Sequence, residues 1–262
     1  MPRVPAWLML KAVTTVFLCF SLLSSKGVLS SPLKLVTLQY PPYSYQSGQH
    51  VKGVAVDIVT EVLNRMEQPF VIELLPWPRA IRRIREGQAD AIFTIYKTSE
   101  RQAFADYSNE VIIGQTISLY ARREHDILYD GTLASLKPYS FGAVRAVYYG
   151  ELFEQAVTAG VILPPDLVDN GENNLRKLLR MRFDILISNR LGAEHILRKM
   201  QAQNRVKVLE PTLEEVPSYL AFTKAKALTE TRMKFDHYLK AYKREDSYRL
   251  AIERVNKSYS QP

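Results

Sequence analysis

"FVIELLPWPRAIRRIREGQADAIFTIYKTSER", running from Phe70 to Arg101, carries the pattern from which the fold class follows. "FVIELLPW" has the apolar density of a buried strand, and Pro78 stands where a first helical residue belongs. From about Arg79 to Glu86, Ile81 and Ile84 form an apolar stripe, and Gly87 stops the helix. The four arginines of "RAIRRIRE" make the solvated face of that helix, and "ADAIFTI" is the next strand. In "KTSER", Thr98 or Ser99 serves as the N-cap of a short helix, its hydroxyl accepting an orphan backbone N–H. Arg101 then puts a cation in a first turn, where the helix dipole favours anions. Glu100, Asp106 and Glu110 are the nearby acids that could pair with it.

Upstream, "LKLVTLQY" (Leu33 to Tyr40) reads as a short buried strand ended by Pro41-Pro42. "GVAVDIVTEVLNRM" places Val54, Ile58, Val59, Val62, Leu63 and Met66 at the three- and four-residue spacings of an amphipathic helix. The resulting β-α-β-α-β order predicts a mostly parallel sheet flanked by helices. Ligands of such sheets bind beyond the carboxyl ends of the strands. Three segments meet that rule: the turn after Tyr40, the bend at Pro76 to Arg79, and the stretch after Phe93.

Downstream, "IIGQTISLYARR" (Ile112 to Arg123) is long enough to cross into a second lobe, where the pattern restarts. "YSFGAVRA" reads as strand and turn, "YGELFEQAV" and "NNLRKLLRM" as helices, "FDILISN" as strand, "LGAEHILRKM" as helix and "VKVLE" as strand. "PSYLAFTK" (Pro217 to Lys224) returns the chain, and two helices close it, about Leu228 to Tyr242 and Ser247 to Val255. The predicted division is lobe 1 over residues 31–117, lobe 2 over 118–217, and a return to lobe 1 over 218–262. Two crossings between two α/β lobes make a hinge.

A chain of 262 residues, 47% hydrophobic and 24% charged, has enough apolar sequence for real cores, which excludes a disordered protein. Residues 1–30 carry Arg3 and Lys11, the apolar run Ala12 to Leu23 and the small-residue end "VLSS", the pattern of a secretory signal peptide. The run is too short for a membrane anchor. Cys19, the only cysteine, follows Phe17 and Leu18 where a lipoprotein motif needs small residues. An exported chain cleaved near Ser30 therefore has no cysteine, which excludes disulfides and thiol catalysis. Losing Arg3, Lys11 and Lys26 lowers the net charge from +8 to +5, and no basic block is interleaved with aromatics, so nucleic acid is not a predicted partner. His50, His125, His195 and His237 lack metal-ligand spacing. Neither a metal nor a cofactor is expected.

These segments in this order resemble the extracellular solute-binding proteins of amino-acid ABC transporters (family 3), with the two-lobed type II periplasmic-binding fold. "YPPYSY" at 40–45, "GVAVDIVTEVLNR" from Gly53, "PWPRAIRRIREGQADAIFT" from Pro76, "KTSERQAFADYSN" from Lys97, "RFDILISNRLGAEHIL" from Arg182 and "DSYRLAIERV" from Asp246 carry the resemblance. It implies an aromatic ligand contact at Tyr40, with Tyr43 and Tyr45 close behind, and hydroxyl or backbone contacts from Thr94 and Tyr96. It also implies that Arg101 grips a ligand carboxylate, a task for which a planar guanidinium is suited. Where amino-acid binders carry an acid for the ligand's ammonium, this chain has Asn189, and "RAVYYG" brings Arg145, Val147, Tyr148 and Tyr149 toward the second wall. Trp77 either forms an aromatic wall of the cleft or packs the bend between its two prolines.

The resemblance further implies a periplasmic, monomeric protein that binds a small carboxylate-bearing solute and hands it to an ABC permease. Two alternatives share the fold: a sensor that presents its closed form to a membrane receptor, and an exported dehydratase-like enzyme. The second would need a desolvated acid near Arg101.

Overall fold

The computed structural model describes residues 31–260, so the signal peptide expected over residues 1–30 lies outside the described residues. From Pro32 onward the chain clusters as one compact unit. Its strands are β1 (Leu33–Thr37), β2 (Tyr45–Ser47), β3 (His50–Lys52), β4 (Phe70–Leu74), β5 (Ala91–Tyr96), β6 (Ala105–Tyr107), β7 (Ile113–Arg122), β8 (Phe141–Val144), β9 (Asp166–Val168), β10 (Ile185–Asn189) and β11 (Val206–Thr223). The helices are α1 (Val54–Arg65), α2 (Trp77–Arg85), α3 (Ser99–Gln102), α4 (Glu151–Thr158), α5 (Gly171–Leu179), α6 (Arg190–Lys199), α7 (Thr229–Tyr242) and α8 (Asp246–Ser260).

Nine strands form one sheet, eight of them in the hydrogen-bonded order β4-β1-β5-β11-β7-β10-β8-β9 and the ninth, β6, pairing with β11. β4, β1 and β5 run parallel, as do β10, β8 and β9. The antiparallel pair β7–β11 joins the two parallel sets. The sequence suggests two separate strands at "VKVLE" and "PSYLAFTK"; they are instead the ends of the single strand β11, whose pairing with β7 is irregular between Leu209 and Glu214. The short β2–β3 hairpin and β9 have no counterpart among the predicted elements.

The core divides along the same line. Beside β1 and β5, one face carries α1, α7 and α8 over Leu35, Phe93 and Phe222, and the other carries α2 over Val36, Ile92 and Ala221. Beside β8 and β10, Phe141, Ile185 and Ile187 pack with Phe153 of α4 on one face, and Leu186 packs with Leu175, Leu178 and Leu197 on the other. Each fully buried aliphatic or aromatic side chain contributes about 1.5–3 kcal/mol. On β7 the membership changes between Ile113 and Ile117, and on β11 between Val216 and Leu220. α6 breaks this separation: Leu191 packs against the first core, and Arg198 Nη1 donates to Ser258 O of α8 at 2.5 Å.

One local irregularity aims the end of β5. Ile95 pairs with Tyr219 and Phe93 with Leu220, so Thr94 is an extra residue, at φ 61°. Ala91 and Phe93 face α1 and Ile92 faces α2, but after the bulge it is Ile95 that faces α2, while Tyr96 turns to the core of the other half. A bulge that shifts the alternation by one residue has this effect. A β-branched residue with positive φ is strained; here the Thr94 hydroxyl bonds Phe93 O at 2.6 Å and lies 3.0 Å from Thr37 Oγ1.

Candidate functional site

The segments that follow β1, β5, β8 and β10 meet one another, those after β1 and β5 making a first wall and those after β8 and β10 a second. After β1, the cis Pro41-Pro42 turn stacks Tyr40 on Tyr43, with ring centroids 5.4 Å apart. The amino end of α1 holds that turn: the N–H groups of Val54 and Ala55 donate to the carbonyls of Pro42 and Tyr43, each at 3.1 Å. Gly53, at φ 130°, allows this approach, because a Cβ there would collide with the Tyr43 carbonyl. "YPPYSY" and "GVAVDIV" are thus two halves of one device that presents tyrosines.

Arg101 follows β5. Thr98 is the N-cap of α3, its hydroxyl accepting the Arg101 N–H at 3.2 Å. The guanidinium is buried at 8% exposure, with Nη1 donating to Tyr96 O at 3.0 Å and Nη2 to Ala146 O at 3.2 Å. It also lies 5.7 Å from the Trp77 ring centre, a contact worth about 0.5–2 kcal/mol. None of the nearby acids pairs with it: Glu100 pairs with Arg85, Asp106 with Arg232 and Glu110 with Lys243. Burial lowers its pKa from the ordinary value. A desolvated guanidinium bound only by carbonyl dipoles is poised to gain from an anion. The arginines of α2 lie on its outer face, Arg83 pairing with Glu73 and Arg85 with Glu100.

The second wall begins after β8. Ala146, at φ 59°, turns its carbonyl to the first wall, where it accepts from both Arg101 and the Trp77 indole N–H at 3.1 Å. Trp77 is therefore a cross-cleft contact as well as a buried bend residue. Tyr148 meets Tyr96 edge to face at 6.3 Å. At the end of β10, Asn189 caps α6 by accepting the Gly192 N–H at 3.0 Å, and its Nδ2 donates to Tyr43 Oη at 3.1 Å and Gln115 Oε1 at 3.2 Å. Gly192 brings α6 against the Tyr40 ring: a Cβ there would lie 3.0 Å from Tyr40 Cε2.

Three of the residues expected at the ligand are engaged by the protein or lie on its surface. Asn189 is buried with both amide atoms engaged by the protein, so it caps a helix and ties the walls together. Arg145 is exposed, lies 3.6 Å from Asp169, and lines an outer cavity of about 320 Å³ with Arg176, Lys177 and Arg180. Tyr45 sits in the β2–β3 hairpin opposite Lys52 and partly exposed. Thr94 is at the expected strand end, but its hydroxyl faces Thr37 behind the strand. Tyr40, Trp77, Tyr96, Arg101 and Tyr148 do come together.

Gln115 is the residue that the sequence reading passed over. It is 1% exposed, and its Oε1 accepts from the Tyr96 hydroxyl at 2.7 Å as well as from Asn189. Its signal was available: a glutamine on the inward row of β7, between Ile113 and Ile117. Among the described residues no cluster of three or more His, Cys, Asp or Glu side chains could hold a metal, and no helix is long and apolar enough to cross a membrane.

Two parallel half-sheets joined by two strands that cross between them make a two-lobed α/β architecture, with a buried arginine and an aromatic cluster where the lobes meet. A profile of the bacterial extracellular solute-binding proteins, family 3, matches residues 33–255, and the chain belongs to that family. No curated protein sequence matches it. Among solved structures it is similar to an ancestral arginine-binding protein bound to arginine, with a TM-score of 0.72 at 16% identity over 89% of this chain and 100% of the other. A histidine kinase sensor domain with similarity to periplasmic binding proteins gives 0.74 at 15% identity, covering 88% and 97%. The arginine-, lysine-, histidine-binding protein ArtJ of Geobacillus stearothermophilus gives 0.70 at 17%, covering 88% and 95%. At these identities the likeness establishes the fold, the two-lobed type II periplasmic-binding architecture.

Proposed function

We propose that this solute-binding protein captures a small carboxylate-bearing solute, an amino acid or a related compound, between its lobes and delivers it to an ABC permease in the periplasm. The observation that carries this reading is Arg101, buried on the first wall with carbonyl partners from both walls and no acid. In this reading Tyr40, Trp77, Tyr96 and Tyr148 enclose the solute, and Arg101 exchanges the Ala146 carbonyl for the solute's carboxylate. In this reading the lobes divide near 117/118 and 217/218, close to the changes in core membership between Ile113 and Ile117 on β7 and between Val216 and Leu220 on β11, and hinge motion there opens the cleft. The protein acts as an exported monomer after loss of residues 1–30, and it performs no catalysis. The amino-acid specificity named for its structural neighbours supports the solute class.

Delivery to a membrane sensor is the second reading, favoured by the likeness to the histidine kinase sensor domain. Both readings use one scheme, in which the solute raises the closed population by its differential affinity for that state. A thermal-shift screen of amino acids, small carboxylates and polyamines tests the solute class. A ligand at a hundred times its Kd adds about 2.7 kcal/mol of stability. Hits confined to carboxylates are expected; stabilisation by polyamines alone contradicts the reading.

A further inference from the structure

Gln115 carries a buried hydrogen-bond donor that the protein leaves unmet. The Gly192 N–H donates to Asn189 Oδ1, which fixes the Asn189 amide with its nitrogen toward Tyr43 and Gln115. The Gln115 atom facing that nitrogen must then be its oxygen, which also accepts from the Tyr96 hydroxyl. Gln115 Nε2 is consequently the other atom, and it is buried with no hydrogen-bond partner. Native proteins rarely bury an unpartnered donor unless something completes it. The amide that carries this donor accepts, through its oxygen, from the hydroxyl of the same Tyr96 whose carbonyl receives Arg101.

We infer that Gln115 is a ligand-contacting, specificity-determining residue whose Nε2 donates to an oxygen acceptor of the solute, at the end opposite the carboxylate held by Arg101. This rests on reading the cleft as the solute site. The solute class is narrowed accordingly: a carboxylate at one end and, one tyrosine length away, a carbonyl, amide or second carboxylate in place of an ammonium.

The test is calorimetry with solutes paired by their far end group, L-glutamine against L-ornithine foremost, with glutarate as the acceptor-ended dicarboxylate. Wild type is expected to bind the acceptor-ended solutes at least about tenfold more tightly. Gln115→Glu keeps the acceptor for Tyr96 and Asn189 and replaces only the unmet donor. It is expected to weaken acceptor-ended solutes by about ten- to a hundredfold and to favour ornithine. Gln115→Met, which removes the donor without adding charge, is expected to weaken them similarly with no gain for ornithine. It serves as the second variant should the glutamate misfold by circular dichroism. If both folded variants bind the acceptor-ended solutes within threefold of wild type, or if wild type prefers ornithine, the inference is overturned while the cleft reading stands. If wild type binds none of the carboxylates, the cleft reading fails and the inference falls with it.

Discussion

On the first wall Arg101 is buried against two carbonyls and a tryptophan face with no carboxylate among the described residues in ion-pair contact; on the second wall Asn189 is at least as buried, yet its oxygen caps α6 and its nitrogen bridges Tyr43 and Gln115. Both residues occupy positions where the family pattern suggests a ligand contact. The contrast teaches that position alone does not assign a ligand group. What matters is whether the protein itself meets the group's hydrogen-bonding and charge requirements. By that criterion Arg101 and Gln115 Nε2 are the groups the protein leaves for a solute in the proposed reading, whereas the Asn189 amide is met by the protein itself.

Breaking the first side of the contrast has the largest expected effect. Arg101→Ala removes a desolvated charged donor, and calorimetry should find affinity for a carboxylate ligand lowered by a hundredfold or more, the usual scale of about 2–5 kcal/mol for such a loss. Breaking the other side should move a different observable. Asn189→Ala loses a helix cap and the Nδ2 bridge, so denaturant unfolding should show a loss of about 1–3 kcal/mol. Ligand affinity should fall far less than in Arg101→Ala, and a hundredfold drop in affinity with unchanged stability would reverse the assignment.

The smallest effect involves pH. Burial raises the pKa of Glu154 above its ordinary 4.5, against the pull of the Arg101 charge. A carboxyl whose folded pKa is raised binds more protons in the native state, so the stability it contributes is present below 4.5 and lost as pH rises through the folded value. The Tm of Glu154→Gln relative to wild type should therefore rise between about pH 4 and about pH 7. A difference that stays flat or falls over that range would show that the carboxylate is not desolvated.

How much of this was legible follows from the range of the interactions. The β-α-β unit of residues 70–101 and the Thr98 cap rest on nearby residues, and the structure agrees with the local reading; that Glu100, Asp106 and Glu110 leave Arg101 unpaired is set instead by their tertiary partners Arg85, Arg232 and Lys243. β11 was read as two strands because "EPTLEE" has the composition of a loop; pairing with β7 on either side of the irregularity carries the strand through it. The Thr94 bulge was hidden because a β-branched residue at positive φ runs against local preference and is held by bonds to Phe93 and Thr37. The surroundings of Arg145 and Asn189 are illegible in the sequence for a related reason. Their partners Asp169, Tyr43 and Gln115 are set by tertiary packing, which spacing along the chain does not reveal.

The central claim, that Arg101 receives the solute's carboxylate, is tested most directly by a double-mutant cycle between protein and ligand. The best carboxylate from the screen and its neutral carboxamide are titrated by calorimetry into wild type and Arg101→Ala. The account predicts that converting the carboxylate to the amide weakens binding to wild type strongly and binding to the variant hardly at all, a coupling of at least about 2 kcal/mol. Equal losses in both proteins, with no coupling, would contradict it.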